Sequence, residues 1–180
     1  IALWEDAVAK GPNAFRARAN LGLAYGKAER WSEAQYQLEQ ALAIKPDYAD
    51  AWVELGNIYH DTEEIGQAEN AYRRALAVNP SLEGVYYNLG NLALGSGRIM
   101  EAITLYHQTL GLNQEFVDAY NNLGQAYEAS GDIDAAIANY QMATEHDPEF
   151  FAASSLRWHL NSSFAVDPSS KTASSDTTWS

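Results

Sequence analysis

An internal repeat of 34 residues constrains the fold of this chain more than any other feature of its sequence. Leu-Gly pairs recur in a fixed register at residues 21–22, 55–56, 89–90 and 123–124. Alanines follow at a constant distance from those pairs, at Ala34, Ala68, Ala102 and Ala136. We therefore define four full copies, at residues 15–48, 49–82, 83–116 and 117–150. Units repeated at such a period stack into a linear array instead of folding around one central core.

Each copy predicts a pair of amphipathic helices. Apolar residues recur at three- and four-residue spacing, as in Leu55, Ile58 and Tyr59, and a second such run begins after a short polar interval. This spacing is typical of helices with one buried face. The repeated Gly and Ala positions indicate where the two helices approach closely. Gly97 and Gly131 are predicted to form the turn between them, a position occupied by Glu29 and Glu63 in the first two copies.

The repeat resembles the tetratricopeptide repeat (TPR) family. The copy at 117–150 matches the family pattern at Tyr120, Leu123, Gly124, Tyr127, Ala136, Tyr140, Ala143 and Pro148. Departures from that pattern are Arg18, Ala93, Thr109 and Gln114. The resemblance implies an all-α solenoid, a right-handed superhelix of antiparallel helix hairpins. Because Gln114 replaces a proline found between the other copies, we expect a looser or longer helix end near Leu110 and Gly111.

Both ends of the sequence depart from the regular repeat. Residues 1–12 align with the second helix of a repeat whose first helix is missing, and Pro12 matches the proline between copies. Residues 151–160 keep a helical pattern without the Leu-Gly pair, which predicts a capping helix. Residues 161–180 are rich in Ser and Thr, which predicts a flexible tail. The organisation is thus four repeats, a preceding half repeat, a cap and a tail.

Composition argues against several classes of function. The formal net charge is −13, which disfavours binding to nucleic acid or anionic membranes. The absence of Cys excludes a disulfide scaffold and a thiol nucleophile. The histidines fall at unrelated repeat positions and predict no metal site: His60, His107, His146 and His159. No phosphate-binding loop or nucleophile motif is present, so we expect neither a cofactor nor an enzymatic activity.

The candidate binding site consists of polar residues on the first helix of each copy, because these helices line the concave side of such a solenoid. The row before the Leu-Gly pair holds Asn20, Glu54, Asn88 and Asn122, and the row after it holds Leu23, Asn57, Asn91 and Gln125. An amide side chain both donates and accepts, so it can bind the backbone of an extended peptide. The rows resemble the asparagine ladder of O-linked N-acetylglucosamine transferase TPR superhelices, which holds peptide backbones; Glu54 interrupts the match.

The charge of this groove favours a neutral or basic peptide. Five acids face two bases among the groove positions, the acids being Asp50, Glu54, Asp61, Asp118 and Glu128. Chaperone-binding TPR modules instead clamp a terminal carboxylate with basic residues. The corresponding lysine positions here hold Ala19, Val53 and Tyr87, which disfavours that mode. Tyr87 is expected to act as an exposed aromatic anchor for the peptide. A solvated acidic face that only keeps the chain soluble is the alternative.

The sequence therefore predicts a protein-interaction scaffold that binds an extended peptide or partner segment in its groove. One alternative is the substrate-recognition region of a larger glycosyltransferase, because residues 3–10 also resemble the start of the TPR region in some bacterial membrane glycosyltransferases. Another is a scaffold that self-assembles, since Leu3, Trp4, Ala7 and Val8 should lie partly uncovered and could contact a second copy. We expect a cytoplasmic location, or a periplasmic one if the chain belongs to a membrane glycosyltransferase.

Overall fold

The computed structural model describes residues 1–11 and 13–147. Within those residues the chain is all α-helical, with nine helices: α1 Ala2–Lys10, α2 Phe15–Gly26, α3 Trp31–Ile44, α4 Ala49–Asp61, α5 Ile65–Val78, α6 Glu83–Gly95, α7 Ile99–Leu112, α8 Val117–Ser130 and α9 Ile133–His146. In this part of the chain no helix combines the length and the apolar character needed to cross a membrane. The predicted capping helix at 151–160, the tail at 161–180 and Pro148 lie outside the described residues.

Successive helices pair into four hairpins, which we number 1 to 4: α2 with α3, α4 with α5, α6 with α7 and α8 with α9. The second helix of each hairpin packs against the first helix of the next, and α1 packs against α2. This order of contacts is that of a solenoid, because neighbouring hairpins bury each other's apolar faces. The all-α solenoid predicted from the 34-residue period is confirmed.

A glycine and an aromatic ring form the closest approach within three of the hairpins. A Cβ atom at Gly56 would lie 2.5 Å from Cε1 of Tyr72, and the same atom at Gly90 would lie 2.6 Å from Cε1 of Tyr106. Tyr72 and Tyr106 are almost completely buried, with 2% and 0% of their surface exposed. The glycine thus leaves room for the ring of the second helix, as the repeated Gly position predicts.

The turns inside the hairpins all place one residue in the left-handed region. The φ angles are 73° at Gly97 and 89° at Gly131, and they are 57° at Glu29 and 62° at Glu63. Glycine adopts this conformation freely, whereas a side chain with a Cβ makes it costly. The first two hairpins therefore contain a strained glutamate at the position where the other two have glycine.

Replacing Glu63 with glycine should stabilise the protein. Glu63→Gly removes the Cβ strain of the left-handed conformation, and we expect the free energy of unfolding to rise by about 0.5–1 kcal/mol. Chemical denaturation measures this change. The reciprocal variant Gly97→Glu should lose a similar amount, and a stabilising Gly97→Glu would contradict the assignment of strain to these turns.

Two types of contact hold the connections between hairpins. The Pro46 carbonyl accepts a hydrogen bond from the Trp52 indole N–H at 2.8 Å. In the next two connections the Asn79 and Asn113 side chains accept from the backbone N–H two residues later, at 3.1 and 3.0 Å. The expected extension of α7 near Gln114 is wrong, since α7 ends at Leu112 with the same 14 residues as α5. The same asparagine turn thus follows α5, where Pro80 is present, and α7, where Gln114 replaces the proline.

The first helix is incompletely covered. No residue of α1 is buried, and Leu3 is 72% exposed. Trp4 and Val8 pack against the core of the first hairpins. The expectation that this edge is partly uncovered agrees with the structure, whereas contact with a second copy stays a prediction.

A network of ion pairs joins hairpins 2 and 3 on the side of their second helices. Both terminal nitrogens of Arg98 donate to the Glu69 carboxylate, at 2.9 and 3.1 Å. Arg98 also contacts Glu101 at 2.9 Å, and Arg73 bridges Glu69 and Glu101. The Arg98 guanidinium lowers the pKa of Glu69, whose side chain is only 16% exposed. This bidentate pair links α5 to the residue that precedes α7.

The contribution of Arg98 should depend on pH. Arg98→Met should cost at most about 1 kcal/mol of unfolding free energy at pH 7, the upper range for partly exposed pairs. Because the pKa of Glu69 is lowered in the folded state, this cost should diminish as the pH falls below about 4.3 and vanish below the lowered pKa. Chemical denaturation of the parent protein and of Arg98→Met from pH 7 to pH 3 measures this difference in unfolding free energy.

A matched control is Arg74→Met, since Arg74 contacts Asn70 and the Trp52 ring and forms no ion pair with a described residue. Its effect on stability should not change over this pH range. An equal pH dependence in the two variants would contradict the role assigned to Arg98.

Candidate functional site

The polar residues predicted to bind a peptide lie on the first helices of the hairpins. We call the solvent side of α4, α6 and α8 the groove face, defined by Asn57 on α4, Asn88 and Asn91 on α6, and Asn122 on α8. Hydrogen bonds across neighbouring hairpins join these four amides in two pairs, Asn57 with Asn88 and Asn91 with Asn122. The same bonds connect the groove face to the buried tyrosines of the second helices.

Between hairpins 2 and 3, the amides of Asn57 and Asn88 meet at the Tyr72 hydroxyl. Tyr72 donates to the Asn57 Oδ1 at 2.8 Å. The Asn88 Nδ2 donates to the same Oδ1 at 3.5 Å and to the Tyr72 hydroxyl at 3.4 Å. The two contacts of Asn88 are at the upper limit of hydrogen-bond length, so they restrain its side chain only weakly.

The same arrangement recurs 34 residues later and is tighter there. Tyr106 donates to the Asn91 Oδ1 at 2.8 Å, and the Asn122 Nδ2 donates to that oxygen at 2.9 Å. The Asn122 Nδ2 also donates to the Tyr87 hydroxyl at 3.0 Å. A tyrosine in the second helix thus fixes the amide of its own hairpin, and that amide binds the next hairpin.

The asparagines differ in what they can still offer to a ligand. Asn122 uses both sides of its amide, because its Oδ1 accepts from Asn121 at 3.1 Å and from Gln125 at 3.3 Å. Its hydrogen-bonding capacity is therefore filled within the chain. The Asn88 Oδ1 accepts no hydrogen bond from any residue that the structure describes. Asn88 is thus the amide best placed to accept an N–H from a bound backbone.

Hairpin 1 does not continue this pattern. Leu38 and Leu23 occupy the positions of the Tyr and Asn found in the later hairpins. The Asn20 side chain forms no hydrogen bond with the described part of the chain, and Glu54 stands where Asn88 and Asn122 stand later. The amides of the predicted ladder therefore form two hydrogen-bonded groups, one around Asn57 and Asn88 and the other from Asn91 to Gln125, and Asn20 lies apart from both.

Burial keeps the tyrosines of this row protonated. It raises the pKa of Tyr72 to about 12 and raises the pKa of Tyr106 and Tyr87 as well. Their hydroxyl groups therefore remain hydrogen-bond donors at neutral pH. Sequence reasoning placed the amides on the groove face but missed these bonds. The constant 15-residue separation between Asn57 and Tyr72, and between Asn91 and Tyr106, was the available signal.

Two adjoining cavities open on the groove face between α4 and α6. The polar cavity has a volume of about 310 Å³ and is lined by Asn57, His60, Asp61, Tyr72, Asn88 and Asn91. The mixed cavity has a volume of about 460 Å³, with carboxylates of Asp50, Glu54 and Glu83 and apolar walls that include Val53, Leu82, Tyr87 and Phe116. Asn57 and Asn88 line both. The cavities therefore adjoin at these two residues, and we call the pair of cavities the recess.

Tyr87 is not the exposed aromatic anchor that the sequence suggests, because it is half-buried. Its ring lies 4.9 Å from that of Phe116 and 6.0 Å from that of Tyr106, measured between centroids. Phe116 directly precedes α8 and covers one side of the ring, an arrangement that repeat register alone does not reveal. Tyr87 contributes to the wall of the mixed cavity instead of projecting from the surface.

The sequence matches models of a known protein family. Two models described as tetratricopeptide repeat match the sequence, one over residues 27–90 and the other over residues 87–149. Together they span most of the chain. The chain is a tetratricopeptide repeat protein. The TPR resemblance read from residues 117–150 is thereby confirmed.

Solved structures of MamA resemble this TPR protein. One is 26% identical, with a TM-score of 0.76, and the match covers 83% of this chain and 87% of MamA. MamA AMB-1 is 25% identical, with a TM-score of 0.73 and coverage of 82% and 88%. MamA residues 41 to the end from Desulfovibrio magneticus RS-1 shares the fold at 16% identity, with a TM-score of 0.74 and coverage of 81% and 82%. No curated protein matches the sequence.

Membership in the TPR family establishes the general role of the chain. TPR proteins are generally non-catalytic scaffolds that bind other proteins through the surface of the solenoid. The role of this TPR protein is therefore protein interaction.

Proposed function

We propose that the groove face binds an extended, neutral to basic segment of a partner protein. The observation that carries the proposal concerns Asn88, which lines both cavities and whose Oδ1 accepts no hydrogen bond from the described residues. An extended backbone presents N–H groups at regular intervals and can donate one to this oxygen without regard to side chains. The recess formed by the two adjoining cavities provides space for such a segment.

The charge of the recess favours the same kind of segment. Acidic side chains line both cavities, with Asp61 in the polar cavity and Asp50, Glu54 and Glu83 in the mixed cavity. An acidic segment would be repelled, whereas a basic one would be attracted over several ångströms. Raising the salt concentration should therefore weaken binding.

Paired variants separate binding from folding. The probe is a set of twelve-residue peptides selected from a randomised phage library on the immobilised full chain. Asn88→Ala should weaken their binding by about three- to tenfold, since it removes one neutral hydrogen bond. Asn122→Ala should instead lower the free energy of unfolding by about 1–3 kcal/mol, because it leaves several partners unpaired. Calorimetric titration and chemical denaturation provide the two measurements.

Asn70→Ala is the matched control, since Asn70 is an exposed amide on α5 whose Oδ1 accepts from Arg74. It should leave peptide affinity unchanged. Binding that is lost in Asn70→Ala and retained in Asn88→Ala would contradict the proposal, and so would a library that yields no binder.

Self-association through α1 is a second candidate, favoured by the 72% exposure of Leu3 beside the half-buried Trp4. Exposed apolar side chains on one helix face favour contact with another apolar surface. Light scattering of the full chain and of Leu3→Glu tests this candidate. A larger mass for the parent chain than for the variant is expected, and equal monomeric masses would contradict it.

A further inference from the structure

The mixed cavity combines two kinds of wall that rarely suit the same ligand group. Val53, Leu82 and the ring of Phe116 provide apolar surface, whereas Asp50, Glu54 and Glu83 bring three carboxylates. A purely apolar side chain would leave the carboxylates without a paired cation, and a small cation would leave the apolar walls in contact with water. A group with an apolar stem and a cationic end satisfies both.

The carboxylates of the mixed cavity are available to such a group. None of the three forms an ion pair with any residue in the described part of the chain. Burial raises the pKa of Glu54, an effect that the Asn57 amide and the Lys27 ammonium oppose and that Asp50 reinforces. Glu54 thus lies in a partly desolvated place, where a carboxylate binds a cation more strongly than at the open surface.

The aromatic wall of the mixed cavity favours a guanidinium group over an ammonium group. The Tyr87 and Phe116 rings lie with their centroids 4.9 Å apart and their planes tilted by 34°. Burial is the main cause of the raised pKa of Tyr87, and the nearby Asp118 carboxylate raises it further, so Asp118 adds to the negative potential on this side. A guanidinium group stacks on aromatic rings and binds carboxylates in a bidentate manner, whereas an ammonium is a compact, strongly hydrated charge.

We propose that the mixed cavity is the subsite for an arginine side chain of the segment bound on the groove face. The aliphatic stem packs against Val53, Leu82 and the aromatic pair, and the guanidinium binds the carboxylates at the cavity rim. This inference rests on the proposed function and specifies which residue the partner presents. The remainder of the segment passes Asn88, which lines both cavities.

The test uses four synthetic twelve-residue peptides of alternating Ser and Ala that differ only at the sixth residue, which is Arg, citrulline, Lys or Ala. Citrulline has the shape of arginine without its charge. Binding to the full chain is followed by amide NMR titration. We expect the Arg peptide to bind about tenfold or more tightly than the citrulline peptide, because hydrogen bonds to a charged group are the stronger ones. Shifts should centre on residues 50–57 and 82–88.

Gly84 supplies the variant for this test. It lines the mixed cavity at the start of α6, and a Cβ atom there would meet nothing within 4 Å, so substitution leaves the packing intact. Gly84→Lys places an ammonium in the cavity and should remove the preference for Arg over citrulline. Gly84→Ala is the matched control and should retain it. Circular dichroism verifies that both variants are folded.

The outcomes separate the subsite from the groove. Equal affinity for the Arg and citrulline peptides would overturn the subsite, and so would an unchanged Arg preference in Gly84→Lys. Lysine binding as tightly as arginine would overturn the assignment to a guanidinium. If peptides selected from the library bind at Asn88 while the Arg peptide does not, the subsite fails and the proposed function stands. If neither kind binds, both fail.

Discussion

Gly90→Ala should destabilise the protein strongly although it adds a single methyl group. The new Cβ would lie 2.6 Å from Cε1 and 2.8 Å from Cδ1 of Tyr106, distances that require one of the helices or the ring to move. The ring cannot move freely, because it is fully buried and its hydroxyl is bound to Asn91 at 2.8 Å. We expect a loss of about 2 kcal/mol in the free energy of unfolding, within the range for overpacked cores.

Gly66→Ala is the control for helix propensity. Gly66 lies in α5, and a Cβ atom there would meet nothing within 4 Å. This variant should be as stable as the parent or gain up to about 1 kcal/mol. Denaturation with guanidinium chloride measures both proteins. Equal stability of Gly90→Ala and Gly66→Ala would show that the two helices of hairpin 3 do not approach as closely as described.

Tyr106→Ala should have a larger effect on stability than any of the other substitutions. The side chain is fully buried, so its removal leaves a cavity at the centre of hairpin 3, and we expect a loss of about 3–5 kcal/mol. Tyr106→Phe keeps the ring and removes only the hydrogen bond to Asn91, at a cost of about 1 kcal/mol. The difference between the two variants separates packing from hydrogen bonding.

An exposed tyrosine provides the comparison for this series. Tyr36 on α3 is 55% exposed, and Tyr36→Ala should change stability by no more than about 0.5 kcal/mol. Thermal unfolding followed by circular dichroism is sufficient to rank the variants. If Tyr106→Phe cost as much as Tyr106→Ala, the hydrogen bond to Asn91 would outweigh the packing of the ring, and the dominant role of ring burial in hairpin 3 would be wrong.

Local rules were sufficient to predict most of the fold. The 34-residue period places Gly90 and Ala102 on facing helices, and the interval between the helical runs places Glu63 and Gly97 in the turns. These inferences hold because helix periodicity, close approach and the left-handed turn each depend on residues near in sequence. The longer helix end expected near Gln114 is wrong, since the Asn113 side chain forms the same turn as Asn79, which a proline follows.

Less of the candidate site than of the fold could be predicted from the sequence. The sequence places Asn88 and Asn122 on the same helix face, but it does not show that Asn122 uses its amide on neighbouring residues while Asn88 keeps an acceptor. The Asn122 acceptor is filled by Asn121 and Gln125 of the same helix, whereas the corresponding positions beside Asn88 hold Tyr87 and Asn91. The half-burial of Tyr87 depends on a contact distant in sequence, because Phe116 reaches it from the residue before α8.

A structure of the full chain bound to a library-selected peptide would decide whether the groove face is the binding site. We expect an extended peptide in the recess between α4 and α6, with one backbone N–H within hydrogen-bonding distance of the Asn88 Oδ1. A peptide bound instead on α5 and α7, with Asn88 left in contact with solvent, would contradict the proposed function.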